Sequence, residues 1–221
     1  MAKRPVFYVD PTTHRVERLD IQFTWFPGFS MAQKRRSIGS LHEEAERAGL
    51  SPVLEVSTKS ATELGTALSA FNLRVTETTH GSISLECAFQ GSKIFEYGGP
   101  YTDLCRRHPK DAKRDPRLRS SGALTGFLFN GQRWELEPKT AFYDWLYINA
   151  VGALDRRNEL IGTLTTYAGF TDIEFNPARS INCQARSCAL WVALSKRGTL
   201  EASLSSSQEF RSEHKALIAA I

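Results

Sequence analysis

Residues 84–95 read Ser84-Leu85-Glu86-Cys87-Ala88-Phe89-Gln90-Gly91-Ser92-Lys93-Ile94-Phe95, a stretch with helical spacing. At about 100° per residue, Glu86, Gln90 and Lys93 fall within an arc of roughly 60°. The remaining surface of that cylinder carries Leu85, Cys87, Ala88, Phe89, Gly91, Ile94 and Phe95, with only Ser92 interrupting. A helix apolar on nearly every side is a buried helix. Its polar strip must face partners in the core or a cavity, because an unpaired charge in low dielectric is too costly to keep. Two readings follow. Glu86 and Lys93 pair along the helix, although ion pairs favour spacings of three or four and seven residues separate the backbones by about 10 Å. Alternatively they flank a ligand atom, where a desolvated lysine becomes a usable amine nucleophile and the carboxylate moves protons.

Outward from this segment, strands and helices alternate without strict βαβ order, which predicts an α+β domain. Upstream, Val6–Val9 and Leu19–Phe26 read as strands around the turn-prone Asp10-Pro11-Thr12, and Ser30 caps a helix to about Ala48. Residues 1–50 are expected to form an N-terminal β-rich extension packed on a core of residues 51–221. Strands are expected at Val53–Val56 and Asn72–Thr76, with helical spacing between them at Leu64, Leu68 and Phe71, and a turn at His80-Gly81-Ser82. Downstream, Gly98-Gly99-Pro100 makes a turn. Helices are expected near Pro109–Arg114, Pro138–Ala153, Glu159–Tyr167, Ile181–Ser195 and Gln208–Ala220, with strands near Phe127–Phe129 and Asp172–Phe175. Ser203–Ser207 reads as a short linker.

A chain of 221 residues with 41% hydrophobic content can bury a full core. Its net charge of +4 is small for a protein that grips duplex DNA mainly by neutralising phosphates, and suits a compact anionic ligand better. Cys87, Cys105, Cys183 and Cys188 form no CxxC pair, and the histidines His14, His42, His80, His108 and His214 are dispersed as surface or turn residues, so no metal or other cofactor is expected. No apolar run reaches membrane-spanning length, and a soluble cytoplasmic protein is expected.

The pattern Ser84-x-Glu86-x-Ala88-Phe89-Gln90-x-x-Lys93 resembles the signature helix of the NADAR superfamily, whose members share the YbiA-like N-glycosidase fold. Phe71-Asn72 is similar to that family's entrance strand, and His108–Arg114 to its s-P-x-x-A-K segment. Ile173-Glu174 with Asn182 is similar to the stretch before the last core helix. Phe95–Tyr101, Phe142–Tyr147 and Trp25–Ser30 look like the subgroup that accompanies DarT-type toxins. The resemblance implies a NADAR-like domain of helices around a small mixed sheet, acting as an ADP-ribosyl glycohydrolase that frees guanine bases of DNA, as the antitoxin to a guanine-modifying toxin. It implies Lys93 as nucleophile through a Schiff-base-type intermediate, Glu86 as proton donor and acceptor, and Phe71, Asn72, Gln90 and Asn182 as substrate contacts. The implied partners are ADP-ribosylated, guanine-linked, single-stranded DNA and the cognate toxin. Two alternatives stay open: hydrolysis of small phosphoribosyl intermediates of riboflavin synthesis, and a non-catalytic module that binds ADP-ribose or the toxin. The chain departs from the family where others carry a D-x-x-W-G-x-G loop. Here only Asn176–Ser180 stands, so that contribution is missing or comes from elsewhere, the N-terminal extension being one source.

Other residues admit two readings each. Trp145 and Tyr147 lie on an aromatic helical stripe that is either core or a stacking platform for a base. Arg186, near a helix start, either clamps a diphosphate or pairs with Asp172 or Glu174. The cations Arg106, Arg107, Lys110, Lys113, Arg114, Arg117 and Arg119 form a solvated face or a nucleic-acid rim.

Overall fold

The computed structural model describes residues 1–76, 81–155 and 159–218. The chain opens with strands β1 (Ala2–Val9) and β2 (Val16–Phe23) around a turn in which the Asp10 carboxylate accepts from the Thr12 and Thr13 amides. Helix α1 (Met31–Arg47) follows, started by a reciprocal cap between Ser30 and Gln33. Its Ile38, Leu41 and Ala45 repeat at helical spacing and are buried. Then come β3 (Val53–Glu55), α2 (Glu63–Ala67), β4 (Arg74–Val75), β5 (Ile83–Ser84), α3 (Leu85–Gly91) and β6 (Lys93–Phe95). After a 3-10 turn at Thr102–Arg106 lie α4 (Pro109–Arg114), α5 (Arg117–Ser120), β7 (Leu124–Phe129), β8 (Gln132–Trp134) and α6 (Ala141–Asp155). The last elements are a 3-10 helix at Glu159–Thr166, β9 (Gly169–Thr171), α7 (Gln184–Arg197), α8 (Leu200–Leu204) and α9 (Ser207–Leu217).

Three small sheets result. The largest is mixed, in the order β2-β1-β9-β3, with β9 antiparallel to β1 through Phe7↔Phe170 and parallel to β3. The amino-terminal hairpin therefore continues the main sheet. β4 and β5 form an antiparallel pair, and β6-β7-β8 an antiparallel meander. Helix α7 is buried from Gln184 to Leu194 and, with α6, runs through the core. Helices and mixed strands without repeating βαβ units make this an α+β fold.

Several expected elements differ. The helix expected over residues 84–95 is two elements. Ser84 caps α3 through the Cys87 amide, but the helix closes at Gly91, a poor helix former, and Ser92 caps its end. Lys93, Ile94 and Phe95 then pair with β7, where sheet hydrogen bonds and a β-branched residue favour extended backbone. The strand expected at Asp172–Phe175 ends at Thr171, because Asp172 folds the chain into a turn: its carboxylate accepts from the Glu174 amide and its carbonyl from the Phe175 amide. The segment Glu159–Thr166 is 3-10 rather than α. Ser203 lies in α8 and Ser206 caps α9, so the expected linker is mostly helical. His80 in the expected turn, and Ala220 at the end expected for the final helix, lie outside the described residues.

Candidate active site

The site is built where α3 meets β6. Helix α3 is buried over its whole length, so its polar side chains have to bond one another. They do so in a chain. Gln90 Nε2 donates to Glu86 Oε1 at 2.7 Å, and Lys93 Nζ donates to Gln90 Oε1 at 2.7 Å. Lys113 on α4 approaches Glu86 Oε2 at 3.6 Å and lies 5.4 Å from the Phe71 ring centre. Cation, carboxylate, amide and amine thus follow one another. Because the helix ends before Lys93, the amine reaches the acid through the Gln90 amide rather than across two turns.

Lys93 is half-buried, with Nζ 4.8 Å from the Phe89 ring centre. Burial lowers its amine to about 8; Glu86 opposes the change and Lys113 adds to it. Its backbone is also fixed: Gly99 turns back at φ +87°, where a Cβ would stand 2.2 Å from the Lys93 carbonyl oxygen, so glycine is required there.

The amine borders a cleft of about 570 Å³, a size that accepts a small organic ligand. Phe89, Phe127 and Tyr143 give it an aromatic side, and Asn182 and Arg179 come from the opposite loop. The Tyr143 hydroxyl is held well above its ordinary pKa by burial, with Glu86 adding to it, and so stays a neutral donor. The short Asn176–Ser180 segment thus supplies a wall of this cleft through Pro177, Ala178, Arg179 and Ser180.

The other expected contacts separate. Phe71 stands on the acid side, under Lys113, whereas Asn72 donates to the Thr66 carbonyl and lines a different, shallow depression. Tyr147 is 0% exposed and donates to the Leu68 carbonyl, so it is core and no base can stack on it. Trp145 packs against Trp134 and Phe129 and borders a separate hollow, away from the Lys93 cleft. Arg186 is 4% exposed and pairs with neither Asp172 nor Glu174. Its Nη2 bonds Asp144 Oδ2 at 3.2 Å, and Nη1 donates to the Ile181 carbonyl at 3.0 Å.

Asp144, on the same aromatic helix as Trp145 and Tyr147, has partners that sequence reasoning did not assign. Burial alone would raise its carboxyl, but Arg186 and His214 more than reverse this and hold it below the usual range. Thr140, Ser187 and His214 complete its hydrogen bonds. His214, expected at the surface, is buried there. The available signal was a carboxylate inside the apolar run Ala141–Tyr147, which cannot be buried without partners. His42 is half-buried against Thr171, and burial lowers it to about 4; His108 caps α4. Among the described residues no group of three or more His, Cys, Asp or Glu is placed to hold a metal ion, and no helix is long and apolar enough to cross a membrane.

An α+β domain with an amine of lowered pKa at the mouth of an aromatic cleft, tied through an amide to a buried carboxylate, has the composition of a nucleophilic catalytic centre. The family described as DarT1-associated NADAR antitoxin matches residues 2–218, nearly the whole chain, and the chain belongs to it. No curated protein matches the sequence.

Proposed function

We propose that this antitoxin is an ADP-ribosyl glycohydrolase that removes ADP-ribose from guanine bases of DNA. The observation that carries the reading is the Lys93 amine, lowered to about 8 and opening on a cleft large enough for a sugar. The free amine attacks C1 of the ribose. The bond from C1 to the guanine amino nitrogen breaks, and the proton that the attacking Lys93 nitrogen sheds as it becomes the glycosylamine passes by way of Glu86 to the departing guanine nitrogen. The lysyl glycoside opens to a Schiff base, and water hydrolyses it to free ADP-ribose and the amine. Tyr143 and Asn182 border the sugar's position.

The basic segment divides in two. Arg107 and Arg117 are engaged with Asp103 and Asp115 and Lys113 with Glu86, whereas Arg106, Lys110, Arg114 and Arg119 are exposed without an ion-pair partner among the described residues. These four form a rim that positions a phosphate backbone without reading sequence. Extrusion of the modified base, or a single-stranded substrate, lets a half-buried amine reach its target.

Borohydride treatment during turnover of ADP-ribosylated guanine DNA, followed by mass mapping, tests the mechanism. A reduced adduct on Lys93 and at least a 100-fold loss of release in Lys93→Ala are expected. Equal release by Lys93→Ala, or an adduct on another residue, would reject it.

A further inference from the structure

A second cavity, of about 220 Å³, lies on the other side of the Pro177–Asn182 ridge from the Lys93 cleft. Pro177, Ser180 and Ile181 line both spaces. Phe7, Val16, Glu17 and Arg18 of the amino-terminal hairpin line one side of the second cavity. Its apolar walls are Phe7, Val16, Phe175 and Ile218, all buried. Three charged side chains border it, and one of them, Arg18, is taken up by Asp20. Glu17 on β2 is half-buried, and its carboxylate has no hydrogen-bond or ion-pair partner among the described residues. Arg186 is buried, and its Nε meets no acceptor among the described residues. A small chamber with aromatic and aliphatic walls, bordered by a carboxylate and a guanidinium, suits a heteroaromatic base that donates from one edge and accepts at another.

Resting on the hydrolase reading, we infer that this cavity holds the purine end of the ADP-ribosyl group while the reacting ribose sits beside Lys93. The exocyclic amine of the purine donates to Glu17, and a ring nitrogen faces the Arg186 side. The linking diphosphate crosses the ridge, where Arg179 is an exposed cation with no ion-pair partner among the described residues. The arrangement gives the amino-terminal hairpin a role in binding. Anchoring the distant purine spends binding energy on placing the sugar carbon at the amine.

Titration calorimetry with AMP, ADP-ribose and ribose 5-phosphate tests this on wild type, Glu17→Ala and Lys93→Ala. Glu17 lies on a partly exposed edge strand, so its truncation leaves the fold intact, which a thermal melt verifies. AMP should bind wild type and Lys93→Ala equally. Glu17→Ala should weaken AMP and ADP-ribose about tenfold, the effect of one hydrogen bond to a charged group, and leave ribose 5-phosphate unchanged. N6,N6-dimethyl-AMP, which lacks the donor, should bind wild type no better than AMP binds Glu17→Ala. Failure of AMP to bind wild type, or equal AMP binding by wild type and Glu17→Ala, overturns the assignment. The two readings fail separately. DNA that is cleaned while AMP ignores Glu17 sinks only the purine cavity; AMP held through Glu17 while modified DNA stays intact sinks only the hydrolase.

Discussion

At Lys93 the burial that costs stability also lowers the amine to about 8. A protonated amine has no lone pair, so the proposed attack requires the fraction of Lys93 that has lost its proton. With the amine near 8, the rate should climb with pH through that region and level above it. Lys113 sets where the climb falls. Its ammonium disfavours a second positive charge on Lys93 and also offsets Glu86, which favours that charge. Lys113→Met removes both influences, and each change acts in the same direction: the Lys93 proton is held more tightly and the inflection moves to higher pH. A rate profile measured from pH 6 to 10 checks this, and an unmoved inflection would disconnect Lys113 from the amine.

Among elements, the decisive event is the change from α3 to β6 between Glu86 and Lys93. Helical periodicity placed Glu86, Gln90 and Lys93 together, and they are together, but by a different route. Local spacing shows which side chains share a face only while one conformation lasts, and the pairing of Lys93 with Phe127 comes from residues more than thirty positions away. The capped helices α1 and α4 were legible because their signals are local, namely Ser30 with Gln33 and Pro109 at a first turn. The Asp144 cluster was not, since it joins α6, α7 and α9. That cluster fixes Arg186 and, through the Ile181 carbonyl, the ridge between the two cavities. Asp144→Leu leaves the buried guanidinium without its counter-charge and should cost about 3–5 kcal/mol, read from denaturant unfolding. Adding Arg186→Leu should return part of the loss, since the stranded charge is then gone as well. A double variant no more stable than Asp144→Leu would speak against the pair.

Over the whole molecule, charge is unevenly used. A net charge of +4 hides the concentration of unengaged cations at Arg106, Lys110, Arg114 and Arg119 beside α3. If these hold phosphates, affinity for single-stranded DNA falls with salt, and the logarithmic slope shrinks by about 0.7 for each contact removed. Replacing all four with glutamine should therefore flatten the slope by roughly 3 while leaving ADP-ribose affinity unchanged. An unaltered salt slope would place the DNA on another face.

The connectivity of the main sheet bears on how the antitoxin comes into being. Its central strand β9 is the partner of both β1 and β3, yet it follows them by more than a hundred residues. A nascent chain leaving the ribosome carries its first hairpin exposed along one edge until residues 169–171 emerge, and long-range pairing of this kind is slow to form. Any protection that the proposed activity confers should then begin only with chains translated past three quarters of the 221 residues, and a message cut short before that point should yield no partly effective fragment.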